Sequence, residues 1–400
     1  MVGNASQVEG HGNGGIAAAI LTSRVAYAIN WYTTATPALS LIVLHYGVAK
    51  GLAGLIVSFF FLSVGIFQLP AGALSSKYGS RRIALNGLLI LSLASIATPF
   101  APTFPVLLLL RFVAGIGAAF FFSPAIGLLS SFFSRERRTG MIGLYNAAFS
   151  LGAGVALLVW PLIVRSTGWQ TGVVLGGLLS LGAYIYSYFT IDMDMVLESA
   201  AVGITFGEIY GIFRNREVWM ISLGLVGVWG VYNALPQFLY GYAVDFLGLN
   251  PSSLLPGILA SVTLFVGLAG GLISGPLHRN IRNARSLLVL IVLLFTISLP
   301  LFMLRTVPAA LAGSAAIGTL FTAGVTLTYA LPAHMSTINL KNIPLVISLV
   351  NSIQILGGFW VATLFGYVLY HYGYYVGFGA MMAIALLFIP FYVFLPGTKK

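Results

Sequence analysis

Long apolar runs fill most of this 400-residue sequence, and they constrain its fold more than any other feature. Twelve runs approach or exceed the roughly 20 residues that a helix needs to span a bilayer. They cover residues 17–44, 52–75, 83–102, 106–131, 139–164, 168–190, 217–243, 253–277, 286–304, 307–333, 343–369 and 374–395. Only 7% of the residues are charged, whereas soluble domains carry roughly 25%. The sequence therefore predicts an all-α integral membrane protein with twelve transmembrane helices.

A polar break divides these runs into two sets of six. The stretch from Asp192 to Glu217 holds five of the eight acidic residues in the chain. It also contains an apolar segment, Phe206–Phe213, which is typical of a short helix on a membrane surface. We expect a disordered cytoplasmic tail over residues 1–15, a six-helix bundle over 16–190, a cytoplasmic linker with a surface helix over 191–216, and a second bundle over 217–400.

The basic residues predict the orientation of the chain in the membrane. If both termini are cytoplasmic, three cations lie outside: Lys50, Arg165 and Arg305. Fourteen lie on the cytoplasmic side: Lys77, Arg81, Arg82, Arg135, Arg137, Arg138, Arg214, Arg216, Arg279, Arg282, Arg285, Lys341, Lys399 and Lys400. This asymmetry follows the positive-inside rule and supports a multi-pass protein of the cell membrane with cytoplasmic termini.

The two halves of the sequence repeat each other. The loop Gly72-Ala-Leu-Ser-Ser-Lys-Tyr-Gly-Ser-Arg-Arg82 returns 203 residues later as Gly275-Pro-Leu-His-Arg-Asn-Ile-Arg-Asn-Ala-Arg285, with the same Gly-x-Leu start and terminal Arg. Residues 142–152 and 347–357 share Ile, Leu, Asn, Leu and Gly at an offset of 205. Parallel repeats of this kind predict two pseudo-symmetric bundles with a substrate site at their interface, near the bilayer midplane.

Three motifs together resemble one known family. The Gly72–Arg82 loop is similar to the signature between helices 2 and 3 of the major facilitator superfamily. Arg111-Phe-Val-Ala-Gly-Ile-Gly117 resembles its helix 4 signature, and Ser134-Arg-Glu-Arg-Arg138 resembles the basic loop that follows. The resemblance covers essentially the full chain. It implies that two six-helix bundles rock about a central site and carry one small solute per cycle.

The resemblance also implies a set of gating residues at the cytoplasmic loops and on helix 4. These are Gly72, Lys77, Gly79, Arg81, Arg82, Arg111, Gly275, Arg279, Arg282 and Arg285. Ser76 stands where the first signature usually has an acid, so the charge relay of that gate is incomplete in this chain.

The first helix loosely resembles the anion–cation symporter branch of the same family. That branch commonly has Asp-Arg after an aromatic pair, and this chain has Thr33-Thr34. Gly152-Ala-Gly154 on helix 5 lacks the proline that drug/proton antiporters of the family usually carry. The missing proline argues against the drug antiporter subgroup, whereas Thr33-Thr34 leaves this chain without the Arg that the symporter branch uses for organic anions.

Uncharged polar and aromatic residues supply the candidate substrate site. On helices 1 and 7 they follow the spacing i, i+3, i+4 and i+7 or i+8, which places them on one face of a helix. The candidates on these two helices are Tyr27, Asn30, Trp31, Thr34, Trp229, Tyr232, Asn233 and Gln237. Helices 5 and 11 add Asn146, Asn351 and Gln354. Hydrogen bonding between helices is the alternative role for each of these residues.

Charged residues are almost absent from the predicted spans. All eight acids fall in tails, loops or helix ends, which disfavours coupling through a carboxylate deep in the membrane. Arg111 lies within helix 4, and two roles are compatible with this position. It could act in gating, or its side chain could extend from the outer end of the helix to the membrane surface. Arg24 lies near the start of helix 1, where we expect it to anchor the helix at the membrane surface.

Other classes of function find little support. The chain has no cysteine and no His/Asp/Glu set with metal-ligand spacing, so we expect no catalytic residues, no metal and no cofactor. We predict a monomeric transporter of a small organic solute, with weak organic acids as the first candidates. Its partners are that solute and the lipid bilayer but not nucleic acid. Efflux of multiple drugs or hydrophobic compounds is the first alternative. A non-transporting sensor or a channel on the same fold is the second.

Overall fold

The computed structural model describes residues 5–133, 135–191, 206–277, 284–335, 338 and 343–395, and every regular element in these ranges is helical. The first half contains α1 (Ala5–Tyr32), α2 (Ala38–His45), α3 (Ala53–Tyr78), α4 (Ser80–Ala97), α5 (Phe104–Ser131), α6 (Arg135–Thr167) and α7 (Trp169–Thr190). The connecting helix is α8 (Phe206–Phe213). The second half contains α9 (Arg216–Gly224), α10 (Val226–Gly241), α11 (Leu255–Leu277), α12 (Ala284–Ser298), α13 (Val307–Ala330), α14 (Ile343–Gly358), α15 (Val361–Leu387) and α16 (Ile389–Val393).

The helices follow the predicted spans closely, and the all-α membrane fold is confirmed. Within the described ranges, nine helical segments are long and apolar enough to cross a bilayer. One of these, Val346–Val393, contains Gly373 at φ 79°, a conformation that breaks the helix between the last two predicted spans. The total of twelve spans stays a prediction.

Three boundaries differ from the prediction. Helix α1 begins at Ala5, inside the segment predicted as a disordered tail. The first span is divided, because α1 ends at Tyr32 and α2 begins at Ala38, after Pro37, which has no backbone N–H to continue the hydrogen-bond ladder. The seventh span is divided between α9 and α10 at Leu225. The short surface helix predicted in the linker corresponds to α8.

The internal repeat seen in the sequence is also present in the packing. A Cβ built on Gly115 of α5 would collide with the backbone carbonyl of Phe60 on α3. At an offset of 203 residues, a Cβ on Gly318 of α13 would collide with the carbonyl of Thr263 on α11. Both glycines let two helix backbones approach closely, which is how helices commonly pack in lipid.

The two halves contact each other from the middle of the spans toward the end at which the first span finishes. Near the middle, Ser352 donates a hydrogen bond to the Gly65 carbonyl at 2.7 Å. A Cβ added at Gly154 on α6 would lie 2.5 Å from the ring of Phe265 on α11. Nearer that end, the Thr36 hydroxyl donates to the Gln237 carbonyl at 2.8 Å, which joins the first span to the seventh.

Candidate functional site

Arg24 lies inside a cage of four aromatic rings in the first half of the chain. Its guanidinium carbon is 4.6 Å from the ring centroid of Tyr27, 4.7 Å from Phe122, 4.5 Å from Tyr145 and 4.5 Å from Phe149. The side chain is only 3% exposed. The sequence predicted a surface anchor here, and the structure instead encloses the cation within the helix bundle.

Three helices build this cage. Arg24 and Tyr27 are one turn apart on α1, Phe122 comes from α5, and Tyr145 and Phe149 are one turn apart on α6. The Tyr145 hydroxyl donates a hydrogen bond to the Phe122 carbonyl at 3.1 Å, which fixes its ring against the guanidinium. Contact with aromatic rings stabilises a desolvated cation by about 2 kcal/mol or more in favourable cases.

The rings do not satisfy the hydrogen-bonding capacity of Arg24. Its Nε and Nη1 atoms are buried and have no hydrogen-bond partner among the described residues. All eight acidic residues of the sequence fall in tails, loops or helix ends. A buried guanidinium with open donors and no carboxylate beside it is a potential binding site for an anionic ligand.

A series of ring contacts leads from this cage toward the second half. The rings of Tyr27 and Trp31 lie 5.6 Å apart, and Trp31 lies 5.3 Å from Phe61. Phe61 in turn contacts Trp229 of α10 at 5.3 Å. The Nε1 atom of Trp31 is buried and has no partner among the described residues. Trp31 and Trp229, both predicted from the sequence, are therefore connected through one phenylalanine across the interface.

Arg111 is a second buried cation, located nearer the outer side of the first half. It is 1% exposed, and its guanidinium carbon lies 4.7 Å from the ring centroid of Phe60. Phe60 also contacts Trp31 at 4.8 Å. Its burial excludes the snorkelling alternative in this conformation.

The second half contributes a cluster of polar side chains. The Tyr329 hydroxyl on α13 donates toward the Asn351 Oδ1 at 3.0 Å and lies 3.4 Å from the Gln354 Oε1 on α14. The Gln354 Nε2 atom is buried without a partner among the described residues. Asn351 and Gln354 were predicted from the sequence, and the structure adds Tyr329 to them.

The other predicted residues on α10 and on the first span have contacts that do not involve Arg24. Tyr232 stacks on Phe321 with ring centroids 3.6 Å apart. The Asn233 side chain donates to the Trp229 carbonyl of its own helix at 2.9 Å. The Thr34 hydroxyl and the Gln237 Oε1 are buried without a partner in the described part of the chain.

Asn30 and Asn146 lie apart from the cage. The Asn30 side chain accepts a hydrogen bond from Ser95 at 2.8 Å and donates to Ser180 at 3.1 Å, so it joins α1 to α4 and α7 inside the first half. This is the interhelical role that was the alternative for such residues. Asn146 is exposed on α6, next to the buried Tyr145.

The basic loop between α3 and α4 has a defined structure. Gly79 joins the two helices at φ 90°, a conformation that favours glycine. The Arg81 side chain donates to the carbonyls of Ile191 and Tyr188, at 2.5 and 2.9 Å, and so binds the C-terminal end of α7. Lys77 and Arg82 are exposed, and a Cβ on Gly72 would meet no atom within 4 Å.

The matching loop in the second half is only partly described. Gly275 lies in α11, near its end, and Arg285 is exposed at the start of α12. Arg279 and Arg282 lie outside the described residues. The gating role of both loops therefore stays a prediction.

Arg24, Phe122, Tyr145, Phe149 and Tyr329 were not among the residues selected from the sequence. Arg24 was set aside because its position near a helix start is typical of an anchor. The aromatic residues carried no polar pattern that would distinguish them from lipid-facing or core residues. Tyr145 could have been found, because it directly precedes Asn146 in the segment that repeats at residues 347–357.

Comparison with known proteins agrees with the sequence motifs and the fold. The family model described as Major Facilitator Superfamily matches residues 20–340. A protein named "Nitrite extrusion protein" from Bacillus subtilis is 24% identical over 87% of this chain and 86% of its own length. A protein named "Probable L-galactonate transporter" from Escherichia coli K12 is 27% identical over 56% of this chain, and the match spans about half of that relative, 52%.

Solved structures show the same architecture. A bacterial homolog of the human lysosomal transporter Spinster, in an inward-facing and occupied conformation, superposes with a TM-score of 0.76 at 16% identity. The superposition covers 96% of this chain and 97% of that one. The sequence match, the two-half architecture and the interface between the halves lead to one conclusion: the chain is a membrane transporter of the Major Facilitator Superfamily.

Proposed function

We propose that this transporter carries small organic monoanions, such as weak organic acids, across the cell membrane by alternating access. The observation that carries this proposal is the state of Arg24, which is buried in aromatic rings with two open hydrogen-bond donors. A carboxylate would supply acceptors for the Arg24 Nε and Nη1 atoms, which have no partner among the described residues, and Arg binds carboxylates with strong charge-assisted hydrogen bonds.

We assign one negative charge to the substrate because the cage holds one cation, Arg24. Arg111 also has Nε and Nη1 without a hydrogen-bond partner among the described residues, but it packs against Phe60 and not in the cage. A dicarboxylate in the cage would leave its second charge without a counter-ion there, in a region of low dielectric constant, which is unfavourable. The Tyr329–Asn351–Gln354 cluster provides hydrogen-bonding groups for the uncharged part of the solute.

The proposal places both termini and the basic loops on the cytoplasmic side. The Thr36–Gln237 hydrogen bond and the close approach of Gly54 to the Ala362 carbonyl then lie toward the outer side, which supports an inward-facing form. The relatives named for L-galactonate and nitrite are consistent with an anionic solute, although the first of these matches covers only about half of its relative. The chain acts as a carrier and not as an enzyme, and we expect a monomer.

The test is ligand-dependent thermal stabilisation of the purified protein. The panel contains pairs of compounds that share one carbon skeleton, one as the carboxylate and one as its primary amide, together with lipophilic cations. A ligand that binds only the folded protein raises its unfolding midpoint as the ligand concentration rises. We expect at least one carboxylate to raise the midpoint, its amide to have little effect, and Arg24→Gln to remove the difference.

Two outcomes would contradict the proposal. Equal stabilisation by an acid and its amide would show that the carboxylate is not recognised. Stabilisation by lipophilic cations alone would favour efflux of hydrophobic compounds instead. Arg165→Gln, at an exposed arginine on the opposite side of the membrane, serves as the control for a nonspecific loss of positive charge.

A further inference from the structure

A cavity of about 290 Å³ lies at one end of the second half, away from Arg24 and from the interface between the halves. It opens between the start of α9 and the short helix α16. The residues that line it are Arg216, Trp219, Met220, Pro390, Phe391 and Phe394. One cation therefore stands at a cavity whose other walls are apolar or aromatic.

The internal repeat explains why this cavity exists. In the first half, the equivalent position is where Gly15 of α1 packs against Thr190 of α7, with a built Cβ 3.7 Å from the Thr190 methyl group. Helix α1 continues for ten residues before Gly15, back to Ala5. In the second half, α9 begins only at Arg216, because the Asn215 side chain accepts hydrogen bonds from the backbone N–H groups of Glu217 and Val218 and so caps the helix. The shorter helix leaves the space beside α16 unfilled.

The walls of the cavity are held in place. The Trp219 indole N–H donates a hydrogen bond to the Phe213 carbonyl at 2.7 Å, which fixes the ring to the end of α8. The Phe394 ring is 70% exposed, although it borders the cavity. Arg214, two residues before Arg216, is exposed and lies with its guanidinium carbon 5.7 Å from the Tyr210 ring. Two arginines therefore stand next to exposed aromatic side chains at the membrane boundary.

This combination matches the chemistry of one occupant. The headgroup of an anionic phospholipid carries a negative phosphate, and its acyl chains are apolar. Basic pockets on the cytoplasmic side of membrane helices are favourable sites for such headgroups, and aromatic residues concentrate at the same depth. With the cytoplasmic orientation assigned above, the cavity faces the inner leaflet, where anionic lipids are found.

We propose that this cavity is a binding site for one anionic phospholipid of the inner leaflet, with its phosphate at Arg216 and an acyl chain against Phe391 and Phe394. The lipid links the first helix of the second half to the last one. The proposal shares its membrane orientation with the proposed function, but it does not depend on the substrate, so either can fail alone.

The experiment measures lipid binding to the full-length protein in detergent by native mass spectrometry. The probes are phosphatidylglycerol and phosphatidylcholine with identical acyl chains, and glycerol phosphate as the soluble headgroup. We expect one phosphatidylglycerol to bind more tightly than phosphatidylcholine. Arg216→Gln should weaken phosphatidylglycerol binding by about fivefold, as expected for one surface cation, and leave phosphatidylcholine unchanged.

A matched pair of variants tests the apolar wall. Phe394 and Phe189 are related by the 205-residue repeat, and both are exposed, but Phe189 is not among the residues that line this cavity. Phe394→Ala should weaken binding of both lipids, and Phe189→Ala should leave both unchanged.

Several results would overturn the proposal. Equal affinity for the two lipids in the unmodified protein would show that the headgroup charge is not recognised. An unchanged affinity for phosphatidylglycerol in Arg216→Gln would show that Arg216 does not bind the phosphate. Competition by glycerol phosphate alone would identify a soluble phosphate site. If phosphatidylglycerol bound only after residues 396–400 were deleted, the occupant of the cavity in the full-length protein would be the C-terminal end of the chain and not a lipid.

Discussion

The guanidinium of Arg24 lies 4.5 Å from the ring centroid of Tyr145, and the Tyr145 hydroxyl is bonded to the Phe122 carbonyl. This pair joins α1 to α6 inside the first half. The sequence repeat had selected the next residue, Asn146, as the ligand on this helix. Helix α6 turns Tyr145 into the bundle, against Arg24, and leaves Asn146, the predicted substrate ligand, exposed.

We expect Tyr145→Leu to impair the cage more than Tyr145→Phe. The leucine removes a ring from the guanidinium, which should cost about 0.5–2 kcal/mol in the free energy of unfolding. The phenylalanine keeps the ring and loses only the hydrogen bond to Phe122, worth about 0.5–1.5 kcal/mol. Anion binding, measured by the ligand-dependent unfolding midpoint, should survive in Tyr145→Phe and weaken in Tyr145→Leu.

The exposed Tyr186→Leu serves as the control for loss of a tyrosine from the lipid-facing surface. If both variants at Tyr145 lost anion binding equally, the hydroxyl would be the important group, and the ring would not.

We expect Gly54→Val to open the outer side of the transporter. A Cβ at Gly54 would lie 2.5 Å from the carbonyl carbon of Ala362, so a larger side chain must push α3 away from α15. Overpacking of this kind typically costs about 1–3 kcal/mol. The chain contains no cysteine, so a single reporter thiol can be introduced directly. With Val57→Cys on α3 as reporter, labelling by a maleimide should be faster when Gly54→Val is also present.

Gly182→Val is the matched control, because a Cβ at Gly182 meets no atom within 4 Å. An unchanged labelling rate at position 57 in the Gly54→Val background would show that this contact does not hold the outer side closed.

We expect Arg81 and Arg82 to differ sharply, although they are neighbours in the basic loop. Arg81→Ala removes two hydrogen bonds that the charged side chain donates to the end of α7. Each contributes at most about 1.5–3 kcal/mol to the free energy of unfolding, so the unfolding midpoint in detergent should fall. The exposed Arg82→Ala should change stability by less than about 0.5 kcal/mol. Its effect should instead appear in the transport rate, as its predicted gating role requires.

Transport should be compared in reconstituted vesicles at equal protein content. Equal stability of the two variants would argue against the Arg81 contact, and an unchanged transport rate in Arg82→Ala would argue against its gating role.

We expect Gln354→Glu to abolish binding of an anionic solute more completely than Gln354→Leu. The leucine removes hydrogen-bonding groups, which should weaken binding by about 1 kcal/mol, whereas the glutamate adds a negative charge in a region of low dielectric constant. The same paired ligands in the thermal assay distinguish the two effects. Similar affinities in the two variants would indicate that Gln354 does not face the substrate.

The sequence could predict the fold class and the family because both depend on local or repeating patterns. Apolar run length reports membrane spans directly, and the glycines at positions 115 and 318 repeat with the same spacing as the basic loops. The start of the first helix was misplaced, because α1 begins at Ala5, and two helix breaks were missed, at residues 33–37 and at Leu225. Tertiary packing can hold a span that its own backbone interrupts.

The candidate site could be predicted only in part. Helical spacing correctly grouped Tyr27 and Trp31 on one face, and the repeat pointed to Asn351 and Gln354 on the eleventh span. The partner of each side chain depends on how neighbouring helices are rotated about their axes. Rotation of α6 decided between Tyr145 and Asn146, and rotation of α1 directed Asn30 toward Ser95 and Ser180.

The sequence by itself determined that this chain lies in a membrane, that its halves are related, and that its acids fall in tails, loops or helix ends. These properties follow from composition, from residue position and from the repeat, and they do not depend on how the helices pack. Tertiary structure alone decided that Arg24 is enclosed by four rings from three helices and that its donors remain open. A cation near a helix start becomes an anchor or a ligand according to what surrounds it, and residues far apart in the chain supply those surroundings.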